Sequence, residues 1–318
     1  MNVLTFGRDT WTHKQKACIT VGTFDGVHRG HQGVISLMRK VADAEGLRVV
    51  VVTFDPHPQI VLSRPGREPL ALLTTIDERC ERLAQVGVDD VVIIPFTREF
   101  AQTPADAFIK QLTTMIDVQH FFIGHDHAFG KDRGGNEELL LHLGKEYGFA
   151  VERIPPLQTG EFVVSSTLVR ATLKAGNVEL AAEMLGAPYT VRGRVVQGDG
   201  RGRTLGIPTA NVQPTDVNKL LPANGVYVVS AIIDGVEVVG MANIGVRPTF
   251  TAETTPTLEV HVLQFDNDIY DTMLDVKFHK RLRNEQKFES REEFLAQLET
   301  DKQQTIIYQQ HIQQRRNS

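Results

Sequence analysis

The feature that most constrains the fold is a glycine- and histidine-rich stretch at residues 22–31, Gly-Thr-Phe-Asp-Gly-Val-His-Arg-Gly-His. An apolar run at residues 17–21 precedes it and is typical of a strand, and residues 34–42 carry apolar side chains at helical spacing. A strand that leads directly into a helix indicates an α/β unit, in which ligands bind where the strand ends. The unpaired N–H groups of a helix start suit a phosphate. The stretch therefore predicts an anion site to which His28 and His31 donate hydrogen bonds.

A metal site is the alternative for these histidines. Two histidines three residues apart can share a metal, and His57, His125 and His127 are possible further ligands. None of the three stands at a spacing that matches a known ligand set. Because the helix start already favours an anion, we favour phosphate and leave the metal open.

Strand and helix patterns alternate through the first 186 residues. Strands are predicted at residues 47–54, 90–95, 118–123 and 149–154, and helices at residues 75–86 and 136–147. Thr103 and Pro104 predict another helix start, with Thr103 as N-cap, and the prolines in residues 55–58 predict an extended loop. Strand–helix–strand repeats of this length indicate a parallel, doubly wound, Rossmann-like sheet.

Two more polar loops follow predicted strands. One covers residues 124–135 and contains Asp126, and the other is Ser165-Ser166-Thr167, which begins a helix with Arg170 on its exposed side. Read alone, the first could be a solvated turn and the second a plain N-cap. Since the carboxyl ends of parallel strands lie along one edge of a sheet, the loops together predict a shared phosphate site.

The pattern changes to β-structure after Gly-Ala-Pro at residues 186–188, which predicts a domain boundary between 1–186 and 187–318. Strands are predicted at residues 191–196, 226–233, 236–242, 258–265 and 274–279, with a last helix that begins at a capping box at residues 290–293. Asp234-Gly235, between the strands at residues 226–233 and 236–242, is a two-residue hairpin signal. Closely spaced strands with turn signals predict a small antiparallel barrel followed by a terminal helix.

Polar residues also cluster in this second half. The glycine- and arginine-rich loop at residues 198–206 is either a surface turn or a backbone cover over phosphates. Thr209 and Asn211 lie two residues apart, so in a strand both would face a Mg²⁺ that bridges phosphates; the alternative is a turn. Glu259 lies within an apolar strand pattern that puts it on the same face as His261. It is either an exposed strand residue or a general base.

Net charge, apolar run length and cysteine content limit the classes of partner and the location that we expect. The net charge of −5 argues against a generally basic nucleic-acid binder, and no apolar run is long enough to span a bilayer. No secretory signal is visible, and two cysteines, Cys18 and Cys80, do not suggest a disulfide framework. We expect a cytoplasmic protein without nucleic-acid or membrane partners; the sequence predicts no oligomeric state.

The motifs as a set resemble the bacterial bifunctional riboflavin kinase/FMN adenylyltransferases, also called FAD synthetases. Residues 22–31, the Phe-Gly pair at residues 129–130 and residues 165–170 carry the resemblance in the first half. Residues 206–211, 243–250, 259–261 and 283–288 carry it in the second, where they resemble a flavokinase barrel.

The resemblance implies two reactions with ATP as co-substrate, riboflavin to FMN and then FMN to FAD. In the kinase, Glu259 would be the base on the ribityl 5′-hydroxyl, and Thr209 and Asn211 would hold Mg²⁺. The implied nucleotide site of the kinase comprises Gly198, Gly206, Pro208, Thr209 and Asn211, and the implied flavin contacts are Arg247, Arg283 and Glu285.

In the adenylyltransferase, the resemblance implies that His28 and His31 stabilise charge at the α-phosphate. The implied nucleotide site comprises Gly22, Phe24, Asp25, Gly26, Asp126, Ser165, Ser166, Thr167 and Arg170. One loop departs from the family pattern, G-x-[DN]-F-x-F-G, because His127 replaces an aromatic residue. Two alternatives therefore stay open: a kinase with weak or absent adenylyltransferase activity, and a non-catalytic flavin sensor.

Overall fold

This computed structural model describes residues 1–66, 68–124, 130–131, 135–154, 158–159, 162–197, 209–246, 256–263 and 269–316. Their contacts divide the chain into two compact units, Met1–Ser166 and Thr167–Ser318. The functional boundary after residue 186 stays a prediction.

The first unit contains a six-stranded parallel sheet with the strand order β1-β4-β3-β2-β5-β6. Its strands are β1 (Asn2–Thr5), β2 (Ala17–Val21), β3 (Arg48–Asp55), β4 (Asp90–Pro95), β5 (Val118–Ile123) and β6 (Ala150–Arg153). Its helices are α1 (Arg29–Glu45), α2 (Pro58–Val61), α3 (Ile76–Gln85), α4 (Ala105–Met115) and α5 (Glu137–Tyr147). A short ribbon of β7 (Gln158–Thr159) and β8 (Phe162–Val163) completes the unit.

Two apolar cores cover the two faces of this sheet. Alternate residues of β2 point to opposite sides: Ile19 packs with α4 and α5 through residues such as Phe108 and Leu140, and Cys18 packs with α1 and α3 through residues such as Met38. A sheet with helices on both faces is the doubly wound architecture that the sequence predicts, and this prediction is confirmed.

The chain reverses its direction of winding between β2 and β5. It proceeds from β2 through β3 to β4 on one side, and from β5 to β6 on the other. Ligands of such sheets bind outside the carboxyl ends of the strands at this switch point. The stretch at residues 22–31 follows β2 and therefore starts at the switch point.

Two local predictions in this unit are wrong. Residues 55–58 are not wholly an extended loop, because α2 begins at Pro58 with His57 as its N-cap; proline fits the first helical position, where its missing N–H costs nothing. Thr103 does not cap α4. The N-cap is Pro104, which makes no side-chain cap hydrogen bond, and α4 starts at Ala105.

The second unit is built around a closed antiparallel barrel with the strand order β10-β13-β12-β11-β14-β9. Its strands are β9 (Tyr189–Val196), β10 (Ala210–Pro214), β11 (Gly225–Ile233), β12 (Val236–Val246), β13 (Pro256–Val262) and β14 (Met273–Arg283). Helices α6 (Ser166–Lys174) and α7 (Val178–Leu185) precede the barrel, and α8 (Arg291–Arg316) follows it. The predicted barrel with a terminal helix is confirmed.

Period-two alternation separates the two faces of the barrel strands. In β13, Leu258, Val260 and Val262 are buried, whereas Glu259 and His261 between them are half-buried. The hairpin between β11 and β12 turns at Asp234 and Gly235, whose φ angles of 51° and 79° are those of a type I′ turn. The Asp-Gly signal in the sequence predicts this turn, and the structure confirms it.

A buried carboxylate ties three strands together at the amino-terminal edge of the parallel sheet. Asp90, at the start of β4, accepts hydrogen bonds from Arg48 Nε at 2.6 Å and from Asn2 Nδ2 at 2.7 Å. Burial raises the pKa of Asp90, but these hydrogen bonds outweigh burial, so its pKa lies below the usual 3.8. The cluster joins β1, β3 and β4 at the edge opposite the switch point.

We expect Asp90→Asn to lower the free energy of unfolding by about 3 kcal/mol at pH 7, because it leaves Arg48 half-buried without its charged partner. Since the folded pKa lies below the unfolded value, the stabilisation is present above about pH 4 and is lost as the pH falls through the folded pKa. Urea unfolding of both proteins from pH 7 to pH 3 measures the difference, which should narrow only below about pH 4. Asp117→Asn is the control, since Asp117 is 60% exposed and lies 3.9 Å from Lys16. Equal stabilities at pH 7 would contradict the assignment.

Candidate active sites

The turn between β2 and α1 has a strained backbone. Phe24 and Val27 have φ angles of 48° and 43°, in the left-handed region that side chains with a β-carbon rarely occupy, and Gly26 has a φ of 83°. Strain of this kind costs about 1–3 kcal/mol at each residue and persists only where surrounding contacts hold it.

The carboxylate of Asp25 supplies those contacts. Asp25 is fully buried (0% exposed), and its oxygens accept hydrogen bonds from the backbone N–H groups of Leu73 and Thr74 at 3.0 and 2.8 Å. The Thr74 hydroxyl also donates to Asp25 and accepts from the N–H of Gly26. Asp25 therefore anchors the turn to the segment before α3. The nucleotide contact of Asp25 stays a prediction.

Two further hydrogen bonds hold the turn from other elements. Arg82 on α3 donates to the carbonyl of Gly26 at 3.0 Å, and the Ser166 hydroxyl donates to the carbonyl of Asp25 at 2.9 Å. Ser166 thus lies beside the turn, and the shared phosphate site stays a prediction.

Two glycines make room for aromatic rings. A β-carbon at Gly22 would lie 3.0 Å from the ring of Phe24, and one at Gly30 would lie 3.1 Å from the ring of His28 and 3.4 Å from the carbonyl of Val164. The glycines of the turn therefore serve different purposes, since Gly26 is required by its backbone conformation and the other two by ring packing.

The two imidazoles form one stacked pair. Their ring centroids are 3.7 Å apart with an interplanar angle of 18°, and the Phe24 ring packs against His31 at 4.7 Å. His28 is the N-cap of α1, and its Nδ1 accepts from the N–H of His31. An accepting Nδ1 places the proton of a neutral imidazole on Nε2, so the cap fixes which nitrogen of His28 donates.

His31 is held in its neutral form. Burial around the ring lowers the pKa of His31 well below the usual 6.5, and the charges of His28 and Arg79 lower it further. Its Nδ1 is buried without a hydrogen-bond partner among the described residues. A bound anion would favour the protonated form instead. The pair is therefore suited to a ligand that brings negative charge.

Sequence reasoning missed Arg79. Its side chain is 1% exposed and donates to Thr53 Oγ1 at 3.1 Å and to the Phe54 carbonyl at 3.0 Å. Arg79 lies four residues before Leu83, which is a core residue of α3, so helical periodicity places it on the apolar face. The sequence signal that could have identified Arg79 is an arginine at a helix position where the periodicity predicts an apolar residue.

The other predicted residues of this site lie as follows. Ser165 and Thr167 are exposed, and Arg170 is half-buried on α6. Asp126 lies outside the described residues, as do His125 and His127. Among the residues that the structure describes, no three His, Cys, Asp or Glu side chains form a group that could hold a metal.

A second set of polar side chains lies in register across three strands of the barrel. Asn211 on β10 is directly opposite Glu259 on β13, and Glu259 is directly opposite Asn243 on β12. Directly opposed residues share a face and have β-carbons about 5 Å apart. All three are half-buried. The sequence left residues 209–211 open between strand and turn; β10 begins at Ala210, which puts Asn211 in a strand.

Glu285 lies against the same strand β12. Its Oε2 accepts from Asn224 Nδ2 at 3.3 Å, and its Oε1 lies close enough to Gly245 to clash with a β-carbon there. Gly245 follows Asn243 by two residues and so lies on the same face. The missing side chain at Gly245 therefore gives the Glu285 carboxylate its position.

Arg283 is engaged in a structural ion pair. Its Nε and Nη2 lie 2.9 Å from an oxygen of Asp301 on α8, and Asp301 is 1% exposed. The guanidinium also lies over the Phe288 ring. Arg283 thereby attaches α8 to the barrel, and its predicted flavin contact stays a prediction. Gly198, Gly206, Pro208 and Arg247 lie outside the described residues, and Thr209 is half-buried just before β10.

Two family models match the chain, one in each half. The model described as FAD synthetase matches residues 10–168, and the model described as riboflavin kinase matches residues 185–308. The first contains the stacked histidines and the second contains the row of Asn211, Glu259 and Asn243.

Curated relatives match nearly the whole chain. The bifunctional riboflavin kinase/FMN adenylyltransferase of Listeria monocytogenes is 37% identical over 94% of each chain. That of Bacillus subtilis is 36% identical over 92% of each, and that of Escherichia coli K12 is 39% identical over 90% of this chain and 91% of its own.

A solved structure has the same fold. The crystal structure from Streptococcus pneumoniae that carries the name macrolide-efflux protein has a TM-score of 0.86 and 32% identity, covering 96% of this chain and 99% of its own. In the described part of this chain, no helix has the length and apolar character needed to cross a membrane.

The family models in both halves agree with the relatives of matching length. The chain belongs to the family of bifunctional riboflavin kinase/FMN adenylyltransferases.

Proposed function

We propose that the two units carry out the two reactions of the family in succession, each at the site described above. The barrel would phosphorylate riboflavin with ATP to give FMN and ADP, and the first unit would transfer AMP from a second ATP to FMN, releasing pyrophosphate. The observation that carries this proposal is the register of β10 and β13, because it sets a carboxylate beside an amide on one face.

In the kinase reaction, Glu259 would accept the proton of the ribityl 5′-hydroxyl. The 5′-oxygen would form a bond to the γ-phosphorus, and the bond from that phosphorus to the bridging oxygen of the β-phosphate would break. Phosphoryl transfer depends mainly on positioning and charge neutralisation, so one base beside a phosphate-binding face is sufficient.

Thr209 and Asn211 are the residues that we propose to hold Mg²⁺. Asn211 lies directly opposite Glu259, and Thr209 precedes Asn211 by two residues, just before β10. A hydroxyl oxygen and an amide oxygen are hard donors of the kind that Mg²⁺ prefers. A small number of protein ligands is sufficient for this ion, because it usually keeps several waters and binds substrate phosphates. When bound, it would neutralise charge on the transferred phosphoryl group.

In the adenylyl transfer, a phosphate oxygen of FMN would form a bond to the α-phosphorus of ATP, and the bond to the pyrophosphate leaving group would break. His28 and His31 would donate hydrogen bonds to the oxygens where charge develops. Their stacking and the helix start beside them support this role, since stacking sets the two imidazoles side by side and the helix start adds unpaired N–H groups and the positive end of its dipole.

We expect Glu259→Gln to lower kcat for FMN formation about 10²–10⁴-fold, because the amide cannot accept the hydroxyl proton. Conversion of supplied FMN to FAD should be unchanged. Glu237→Gln, which changes an exposed residue of β12, is the matched control. Chromatography of the flavins measures both reactions, and kinase turnover at the original rate in the Glu259→Gln variant would remove Glu259 from the mechanism.

We expect Asn211→Ala to raise the Mg²⁺ concentration required for half-maximal FMN formation about tenfold, because one oxygen ligand is lost. The Mg²⁺ requirement of FAD formation from FMN should not change. A titration of both reactions with Mg²⁺ measures this, with Gln213→Ala on the same strand as control. An equal shift in the two reactions would count against a metal site at Asn211.

We expect His31→Ala to lower the rate of FAD formation about 10²–10³-fold, the loss typical of one transition-state donor. FMN should accumulate when riboflavin, ATP and Mg²⁺ are supplied. His28→Ala should behave alike and also lower stability by about 1 kcal/mol, because it removes the N-cap of α1. His142→Ala, which changes an exposed histidine of α5, is the control. Loss of both reactions in the His31→Ala variant would argue against two separate sites.

The same assay on the unaltered protein separates the alternatives. FAD as product supports both activities, FMN alone supports a kinase with weak or absent adenylyltransferase activity, and unchanged riboflavin supports a flavin sensor.

We propose the cytoplasm as the location of the protein, because Cys18 and Cys80 are free thiols and form no disulfide. Burial raises the pKa of Cys18 to about 12 and that of Cys80 to about 11, so both thiols stay protonated.

A further inference from the structure

Asn243 is the neighbour of Glu259 on the side away from Asn211. The β12–β13 register sets Asn243 and Glu259 directly opposite each other, and both are half-buried on the same face. Asparagine is depleted in β-strands, so an amide in the middle of an 11-residue barrel strand calls for an explanation.

The amide of Asn243 is oriented toward the Glu285 side of this face. Its Nδ2 lies 3.4 Å from the position of a β-carbon at Gly245, and the Oε1 of Glu285 lies close enough to that position to clash with such a β-carbon. Asn224 holds the other oxygen of Glu285. A polar strip therefore runs from Glu259 across Asn243 to Glu285, and Gly245 leaves the space that Glu285 fills.

The spacing of this strip matches the chemistry of the acceptor. The ribityl chain carries secondary hydroxyls on the carbons next to the reacting 5′-carbon, a few ångströms from the 5′-oxygen. A hydroxyl donates and accepts, and so does a carboxamide. If the 5′-hydroxyl lies at Glu259, a side chain whose β-carbon is about 5 Å away on the neighbouring strand can reach the adjacent hydroxyls of the ribityl chain.

We propose that Asn243 binds a secondary hydroxyl of the ribityl chain and thereby selects polyol-bearing flavins as kinase substrates. This inference rests on the proposed role of Glu259, because that role fixes where the 5′-hydroxyl lies. Asn211 and Asn243 lie on opposite sides of Glu259. In this proposal, ATP and Mg²⁺ bind on the β10 side with Asn211, and the ribityl chain binds on the β12 side with Asn243.

The test compares riboflavin with its 2′-, 3′- and 4′-deoxy analogues as kinase substrates of the full-length protein and of Asn243→Ala. We expect the substitution to lower kcat/KM for riboflavin about tenfold, mainly through KM, with KM for ATP unchanged. One of the three analogues should react equally well with both proteins, because the hydroxyl that Asn243 binds is already absent from it. Gln213→Ala, which removes an exposed amide from the same face of β10, should leave all four substrates unaffected.

Asn243→Ser is the second variant, and it should recover part of the lost kcat/KM because its hydroxyl can still donate. An unchanged KM for ATP shows that the barrel is intact. The proposal is wrong if removal of each hydroxyl lowers kcat/KM by the same factor in the unaltered protein and in Asn243→Ala. It is also wrong if the substitution raises KM for ATP and leaves KM for riboflavin unchanged. Failure of the Glu259 assignment would be seen separately, as retained turnover of Glu259→Gln with riboflavin.

Discussion

The buried carboxylate of Asp25 is the interaction on which the first site depends. Three residues of the turn after β2 have left-handed backbone conformations, and two of these have side chains that disfavour them. Asp25 offsets that cost by accepting hydrogen bonds from Leu73 and Thr74 in the interior, where such bonds are strong. With the turn fixed, His28 caps α1 and stacks on His31, so the positions of both imidazoles follow from one buried group.

The two sites use opposite properties of β-structure. In the parallel sheet, the proposed chemistry lies in a loop beyond the strand ends, where backbone conformation positions the side chains. In the barrel, the proposed chemistry lies on the strands, and the hydrogen-bond register positions Asn211, Glu259 and Asn243. The first site requires glycines and unusual φ angles, whereas the row of Asn211, Glu259 and Asn243 follows from the pairing of three strands.

Sequence alone predicts much of this because period and spacing are local properties. The doubly wound sheet, the barrel, the Asp-Gly turn and the position of His28 at a helix start all follow from patterns of a few residues. The edge strand β1 gives too short a signal, and Thr103 loses the capping position to Pro104. The partners of Asp25, Arg79 and Arg283 lie far away in sequence, so no local pattern identifies them. Asn243 becomes a candidate only when the register pairs it with Glu259.

The alternation along β13 has a consequence for how such an enzyme can change. Leu258, Val260 and Val262 hold the barrel together, while Glu259 between them carries the proposed chemistry. We expect substitutions at the buried positions to lower the stability of the barrel and substitutions at Glu259 to alter catalysis. The two properties can then change separately within one short segment, because the positions that determine them alternate along the strand.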